Sequence, residues 1–77
     1  MEKDILKIIQ KYVEFDINLD SNIILLGVNS LKMMMIKWDI ERKYNIEITY
    51  DDFAKLRTVK DFVELVKRYK ESKYGTN

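Results

Sequence analysis

The sequence predicts an all-α protein: a small four-helix bundle of three main helices and one short one, with a long loop between the first two. Three observations predict it. The 77 residues include no proline and only 2 glycines, so few positions interrupt a helix. No alternating apolar–polar run lasts more than a few residues, which leaves no candidate strand. Several stretches instead repeat apolar residues at helical spacing. The length supports one domain over residues 1–77, with a small core, since a chain of this size buries roughly 60% of the surface its unfolded form exposes.

The first helix is expected over residues 2 to about 15, where Ile5, Ile8, Ile9, Tyr12 and Val13 share a face. The segment DINLDSNIILLG then breaks the pattern. Its Asn and Asp side chains favour turns, and Gly27 permits backbone angles closed to other residues. Ile23, Ile24, Leu25 and Leu26 are too apolar for a solvated loop and are expected to fold back over the core. A second helix runs from Ser30 to about Tyr44, with Asn29 as N-cap and Asn45 as its left-handed terminator. Ile46 and Ile48 anchor the following loop, and a short helix is expected over residues 51–55. Thr58 and Asp61 approximate a capping box for the last helix. Its apolar stripe is Val59, Phe62, Val63, Val66 and Tyr69. The polar end KESKYGTN is expected to fray.

The second helix carries more apolar side chains than one buried face needs. At about 100° per residue, Met33, Ile36, Ile40 and Tyr44 fall on one side, and Leu31, Met34, Met35 and Trp38 on the other. Lys32, Lys37, Asp39, Glu41 and Lys43 lie between them. The first stripe reaches the helix end, whereas the second gives way to Arg42. The longer stripe is therefore expected to be core and the shorter one exposed. An exposed tryptophan and methionines mark a contact surface able to meet several partners. Wheel geometry alone leaves equal room for the second stripe to lie under the IILLG loop.

Composition excludes several functions. Lys plus Arg is 14 and Asp plus Glu is 13, and the signs alternate along every helix, so no basic stripe points to nucleic acid. The absence of cysteine removes disulfides and thiolate metal sites; the absence of histidine removes the usual general base and zinc ligand. No acid–base pair, nucleophile–base pair or metal cluster is evident, so an intrinsic enzyme and a metal site are not expected. No run is long enough to span a bilayer, and MEKDILK lacks a signal-peptide apolar stretch. The expectation is a cytoplasmic monomer with no membrane or nucleic-acid partner. The start at Met1 and the polar Gly75-Thr76-Asn77 end fit either a complete small protein or a piece of a larger one. Read locally, Ser30 is a second capping residue. Without a histidine its hydroxyl is not activated, so any chemistry on it must be performed by another protein.

Three blocks resemble the acyl and peptidyl carrier proteins. Leu26-Gly27-Val28-Asn29-Ser30-Leu31 is similar to that family's Leu-Gly-x-Asp-Ser-Leu motif. Residues 40–48, Ile-Glu-Arg-Lys-Tyr-Asn-Ile-Glu-Ile, resemble its helix end with an aromatic residue and an Ile-x-Ile pair. Residues 56–62, Leu-Arg-Thr-Val-Lys-Asp-Phe, resemble the start of its final helix. The resemblance covers about Ile5 to Val66. It implies that Ser30 accepts 4′-phosphopantetheine from coenzyme A through a separate phosphopantetheinyl transferase, with Gly27, Asn29 and Leu31 as motif flanks. The arm's thiol would then carry acyl or aminoacyl groups as thioesters. They would be loaded by an adenylating enzyme and passed to condensing, tailoring or thioesterase enzymes. The helix after the serine would be the docking surface, through Leu31, Met34, Met35 and Trp38 with Lys32 and Lys37 beside them. Asn29 departs from the family's usual Asp, and Thr49 from a common proline. From Ser30 to Lys43, four cations face two carboxylates, a net of +2, where fatty-acid carriers are acidic. That favours a discrete carrier of a specialised, peptide- or polyketide-type pathway. The alternative reading is an unmodified helical protein–protein interaction module.

Overall fold

A computed structural model describes residues 1–75, with side chains described as far as residue 71. Four helices follow one another: α1 (Glu2–Gln10), α2 (Ser30–Tyr44), α3 (Tyr50–Ala54) and α4 (Val59–Gly75). α1 packs against both α2 and α4. The core between them is built mainly of isoleucine and valine, with Phe53, Phe62, Leu56 and Leu65. Phe53 of α3 meets Phe62 of α4 edge to face at 5.8 Å between ring centroids, which fixes the short helix to the long one. No helix of the described residues is long and apolar enough to cross a membrane.

α1 is shorter than its periodicity suggests. It ends at Gln10 because that side chain takes over the backbone that follows. Gln10 Nε2 donates to the carbonyls of Val13 and Phe15, and Gln10 Oε1 accepts the Ile17 N–H at 3.1 Å. These bonds turn the chain out of the helix while Val13 and Ile17 remain buried and Phe15 points outward.

The connection over residues 11–29 contains no regular helix, but it is anchored. Asn18 and Ser21 close a turn through side-chain bonds to backbone. The chain then runs antiparallel to the approach to α4. Ile23 N–H donates to the Arg57 carbonyl at 2.9 Å, Val59 N–H to Ser21 at 3.2 Å, and Lys60 N–H to Leu19 at 2.8 Å. The first amides of α4, which no helix can satisfy internally, are thus partly paired by the loop. Of the apolar run at residues 23–26, only Ile23 is fully buried. Ile24 is 39% and Leu25 82% exposed, so the expected burial of the whole run is corrected. The physical reason is the Asn22 side chain, whose Oδ1 accepts the N–H of both Ile24 and Leu25 and curls the chain into a turn that directs Ile24 and Leu25 outward, leaving Ile23 buried and Leu26 partly packed on the core.

The helix ends follow the expected chemistry. Asn45 lies in the left-handed region at φ 55° and closes α2. Thr58 Oγ1 accepts the Asp61 N–H, and Asp61 Oδ2 accepts the N–H of Thr58 and Arg57, a complete capping box. α4 runs through the polar segment expected to fray, as far as Gly75; Thr76 and Asn77 lie outside the described residues.

Lys37 needs a second correction. The sequence places it beside the docking stripe, but its residue exposure is 6%. The amine forms an ion pair with Glu41 at 2.8 Å and sits 5.0 Å from the centre of the Tyr50 ring. The same Glu41 oxygen accepts the Ile48 N–H at 2.9 Å. Lys37 therefore ties α2 to the segment that leads into α3.

Two outcomes follow from this packing. Backbone hydrogen bonds from Thr58 and Arg57 hold the Asp61 carboxyl below its ordinary range. A lowered folded-state value adds stability above the unfolded pKa and loses it as pH falls through the folded one. Asp61→Ala should therefore cost about 1 kcal/mol at neutral pH, with the difference from wild type shrinking below about pH 4, as read by urea denaturation. Glu41→Ala should cost about 2 kcal/mol, because it leaves a buried amine and the Ile48 N–H without their acceptor. Lys37→Met with Glu41→Gln should recover part of that loss in the same assay.

Candidate functional site

Ser30 is the first residue of α2 and is exposed. Its position is set from the preceding turn. Gly27 adopts φ +94°, a region that side chains disfavour, and a Cβ there would meet nothing within 4 Å. Glycine is thus required by the backbone angle, not by crowding. Gly27 N–H donates to Ile24, and Val28 N–H to Ile23, closing the turn. Val28 is buried at 5% and pins the chain one residue before the cap. Val28 fills the variable position of the motif, and its lone apolar side chain between Gly and Asn is the one mark in the sequence of this anchor.

Asn29 then starts the helix. Its backbone is extended, its Oδ1 accepts the Lys32 N–H at 2.9 Å, and its carbonyl accepts the Met33 N–H at 2.9 Å. The amides of Ser30 and Leu31 remain without a partner among the described residues, as does the Ser30 hydroxyl. The first turn of α2 contains no acidic residue. The site thus presents an unengaged hydroxyl, two amide donors and the positive end of a helix of 15 residues.

The exposed apolar stripe begins beside it. Leu31 is 61%, Met35 36% and Trp38 49% exposed, whereas Met34 and Lys32 are half-buried. The opposite stripe is core: Ile36 and Ile40 are fully buried and Met33 and Tyr44 pack against them. The second stripe therefore does not lie under the loop. Leu25, within five residues of Ser30 along the chain, adds an exposed apolar side chain where the apolar run predicts a core residue. Lys37 is turned away from this face toward Tyr50. Among the described residues, no group of three or more His, Cys, Asp or Glu side chains could hold a metal ion.

On the far edge of α2, Asp39 Oδ2 accepts the Tyr12 hydroxyl at 2.6 Å and pairs with Lys11 at 3.2 Å. The Tyr12 hydrogen bond keeps the Asp39 carboxyl below its usual range and raises the Tyr12 phenol above its own. This contact joins the end of α1 to α2 and holds the serine-bearing helix against the bundle.

Comparison with known proteins agrees with this geometry. Residues 3–66 match the family model described as the phosphopantetheine attachment site. Nodulation protein F of Rhizobium leguminosarum bv. trifolii is 36% identical over 55 aligned residues, with 68% of this chain and 60% of that protein covered. The chain thus spans less than two thirds of that relative's length. With four helices, an exposed serine heading the second, and a family match over most of its length, the chain belongs to the phosphopantetheine-attachment family of acyl carrier proteins.

Proposed function

We propose that the protein is a carrier in which Ser30 Oγ bears 4′-phosphopantetheine, taken from coenzyme A by a phosphopantetheinyl transferase. The observation that carries this reading is the exposed, unengaged Ser30 hydroxyl at the head of α2, inside the matched family region. The surroundings suit a phosphodiester. The free amides of Ser30 and Leu31 and the helix dipole favour negative charge, and no carboxylate stands in the first turn to repel it. When bound, the group supplies a terminal thiol on a long arm that holds acyl or aminoacyl cargo as a thioester.

This chain's own residues orient and present. Asn29 and Gly27 fix the direction of the Ser30 Cα–Cβ bond. The hydroxyl proton must pass to a base on the transferase, because the chain has no histidine and no described acceptor lies on Ser30. Leu31, Met34, Met35 and Trp38 form the docking surface, with Lys32 at its edge; Lys37 is removed from that set by its burial. Docking on the helix that carries the arm raises the local concentration of cargo at each partner's active site. The partners are the transferase, an adenylating enzyme that loads the cargo, and condensing, tailoring or thioesterase enzymes that use it. All would act on a single cytoplasmic carrier domain. A relative named for nodulation, together with the cationic α2, supports a specialised pathway. An unmodified interaction module would use the same stripe, but the family match favours the carrier.

Incubating the protein with coenzyme A and a promiscuous phosphopantetheinyl transferase should add one phosphopantetheine to the intact mass, and Ser30→Ala should abolish it. No adduct, or one that persists in the variant, refutes the reading. Trp38→Ala should weaken cargo transfer to partner enzymes while shifting stability by about 1 kcal/mol or less, since half of the side chain is already in water. A large fall in melting temperature would show that Trp38 is core.

A further inference from the structure

The net charge of the chain is only +1, but the fold does not spread it evenly. Lys7 and Lys11, near the end of α1, meet Arg42 and Lys43, in the last turn of α2, along the junction of the two helices. Two adjoining hollows of about 360 and 220 Å³ lie there and share Ile8, Lys11 and Lys43 in their walls. The carboxylates on this surface are Asp4 and Asp39. Asp39 is already committed to Tyr12, Lys11 and, at 3.7 Å, Arg42. The Lys11 and Arg42 side chains are nevertheless 61% and 79% exposed, so they remain available to another molecule. By contrast, a hollow of about 520 Å³ against α3 and α4 is lined by Asp52, Asp61 and Glu64 with Lys55 and Arg68. One side of the molecule is positive and another weakly negative.

Arg42 links the basic groove to the exposed stripe of α2 that begins beside Ser30. On the wheel of α2, Arg42 continues the Leu31–Trp38 stripe. It lies twelve residues from Ser30, or about 18 Å at 1.5 Å per residue. A standard interface of about 800 Å² per partner is wide enough to cover both. A transferase meets the protein before any arm or cargo is attached, so it must recognise the protein surface alone. Enzymes that act later also bind the arm and its cargo. The interleaved Asp4 and Asp39 suit discrete carboxylates on a protein better than a continuous phosphate surface, which requires an unbroken basic stripe.

We propose that the groove formed by Lys7, Lys11, Arg42 and Lys43 is a recognition surface for the phosphopantetheinyl transferase that modifies Ser30, and that this transferase meets it with acidic side chains. The proposal rests on the carrier reading of Ser30. It makes the α1–α2 junction an electrostatic guide and the neighbouring apolar stripe the contact that follows.

The test measures kcat/KM for phosphopantetheine transfer by the transferase of the same organism, on wild type, Lys7→Gln/Lys43→Gln and Lys7→Glu/Lys43→Glu. Thermal melts verify that each variant folds. For wild type, kcat/KM should fall as salt rises from about 50 to about 500 mM. At low salt the Glu pair should lose roughly tenfold and the Gln pair less, chiefly through KM, and all three should converge at high salt. Unchanged kinetics in both folded variants, or a loss that persists at high salt, overturns the proposal. So does wild-type binding to duplex DNA or anionic vesicles that the variants lose while their transfer kinetics stay intact. A promiscuous transferase separates the two levels: if it modifies Ser30 while the cognate kinetics ignore the groove, only the groove assignment fails. If neither enzyme modifies Ser30, the carrier reading fails with it.

Discussion

A serine at the head of a helix can be aimed only if the chain leading into it is fixed, and here that chain is a long irregular connection. Residues 11–29 carry backbone donors and acceptors that no helix satisfies, so each must find a partner elsewhere or face water. The solution is to pair the connection with the approach to α4. The bonds from Ile23 to Arg57, Val59 to Ser21 and Lys60 to Leu19 satisfy loop and helix start together. Ile17, Ile23 and Val28 are then buried as successive pegs. With these in place, the turn at Gly27 and the cap at Asn29 follow, and α2 starts where Ser30 requires it.

The same helix divides its labour by face. Ile36 and Ile40 bury one side in the core. Asp39 and Tyr12 tie one edge to α1, while Lys37, Glu41 and Tyr50 tie the other to the segment around α3. The remaining face, with Leu31, Met35 and Trp38, bears none of these restraints and stays in water. Both edges are held, so the exposed face and the serine share one anchored helix. A partner that binds the stripe therefore also determines where Ser30 points.

The features legible in the sequence were those written within one helix or one turn. The cap at Asn29, the terminator at Asn45, the Thr58–Asp61 box and the two stripes of α2 all depend on residues a few positions apart. The features that were not legible depend on partners farther away or on loop geometry. The end of α1 is set by the Gln10 side chain reaching as far as Ile17, which periodicity does not register. The run at residues 23–26 reads as uniformly apolar, yet the turn built by Asn22 buries only Ile23 fully, while Leu26 packs partly against the core and Ile24 and Leu25 stay exposed. Lys37 sits on the border between stripes, and only the position of Tyr50 shows that this border faces inward. Likewise, charges that alternate along α1 and α2 separately gather into one basic groove when the helices are placed side by side.

The enclosure of Lys37 has a chemical consequence. Lys37 lies two turns along the helix from Ser30, and an amine is a natural target for an activated acyl group. In the carrier role proposed above, such groups would be held close to the protein's own surface, where an open amine would be acylated. Lys37 is engaged by Glu41 on one side and the Tyr50 ring on another, with little surface open to approach. Its nitrogen is thus poorly placed to attack. The contact that fastens α2 to the segment around α3 thus also leaves this lysine closed to an acyl donor.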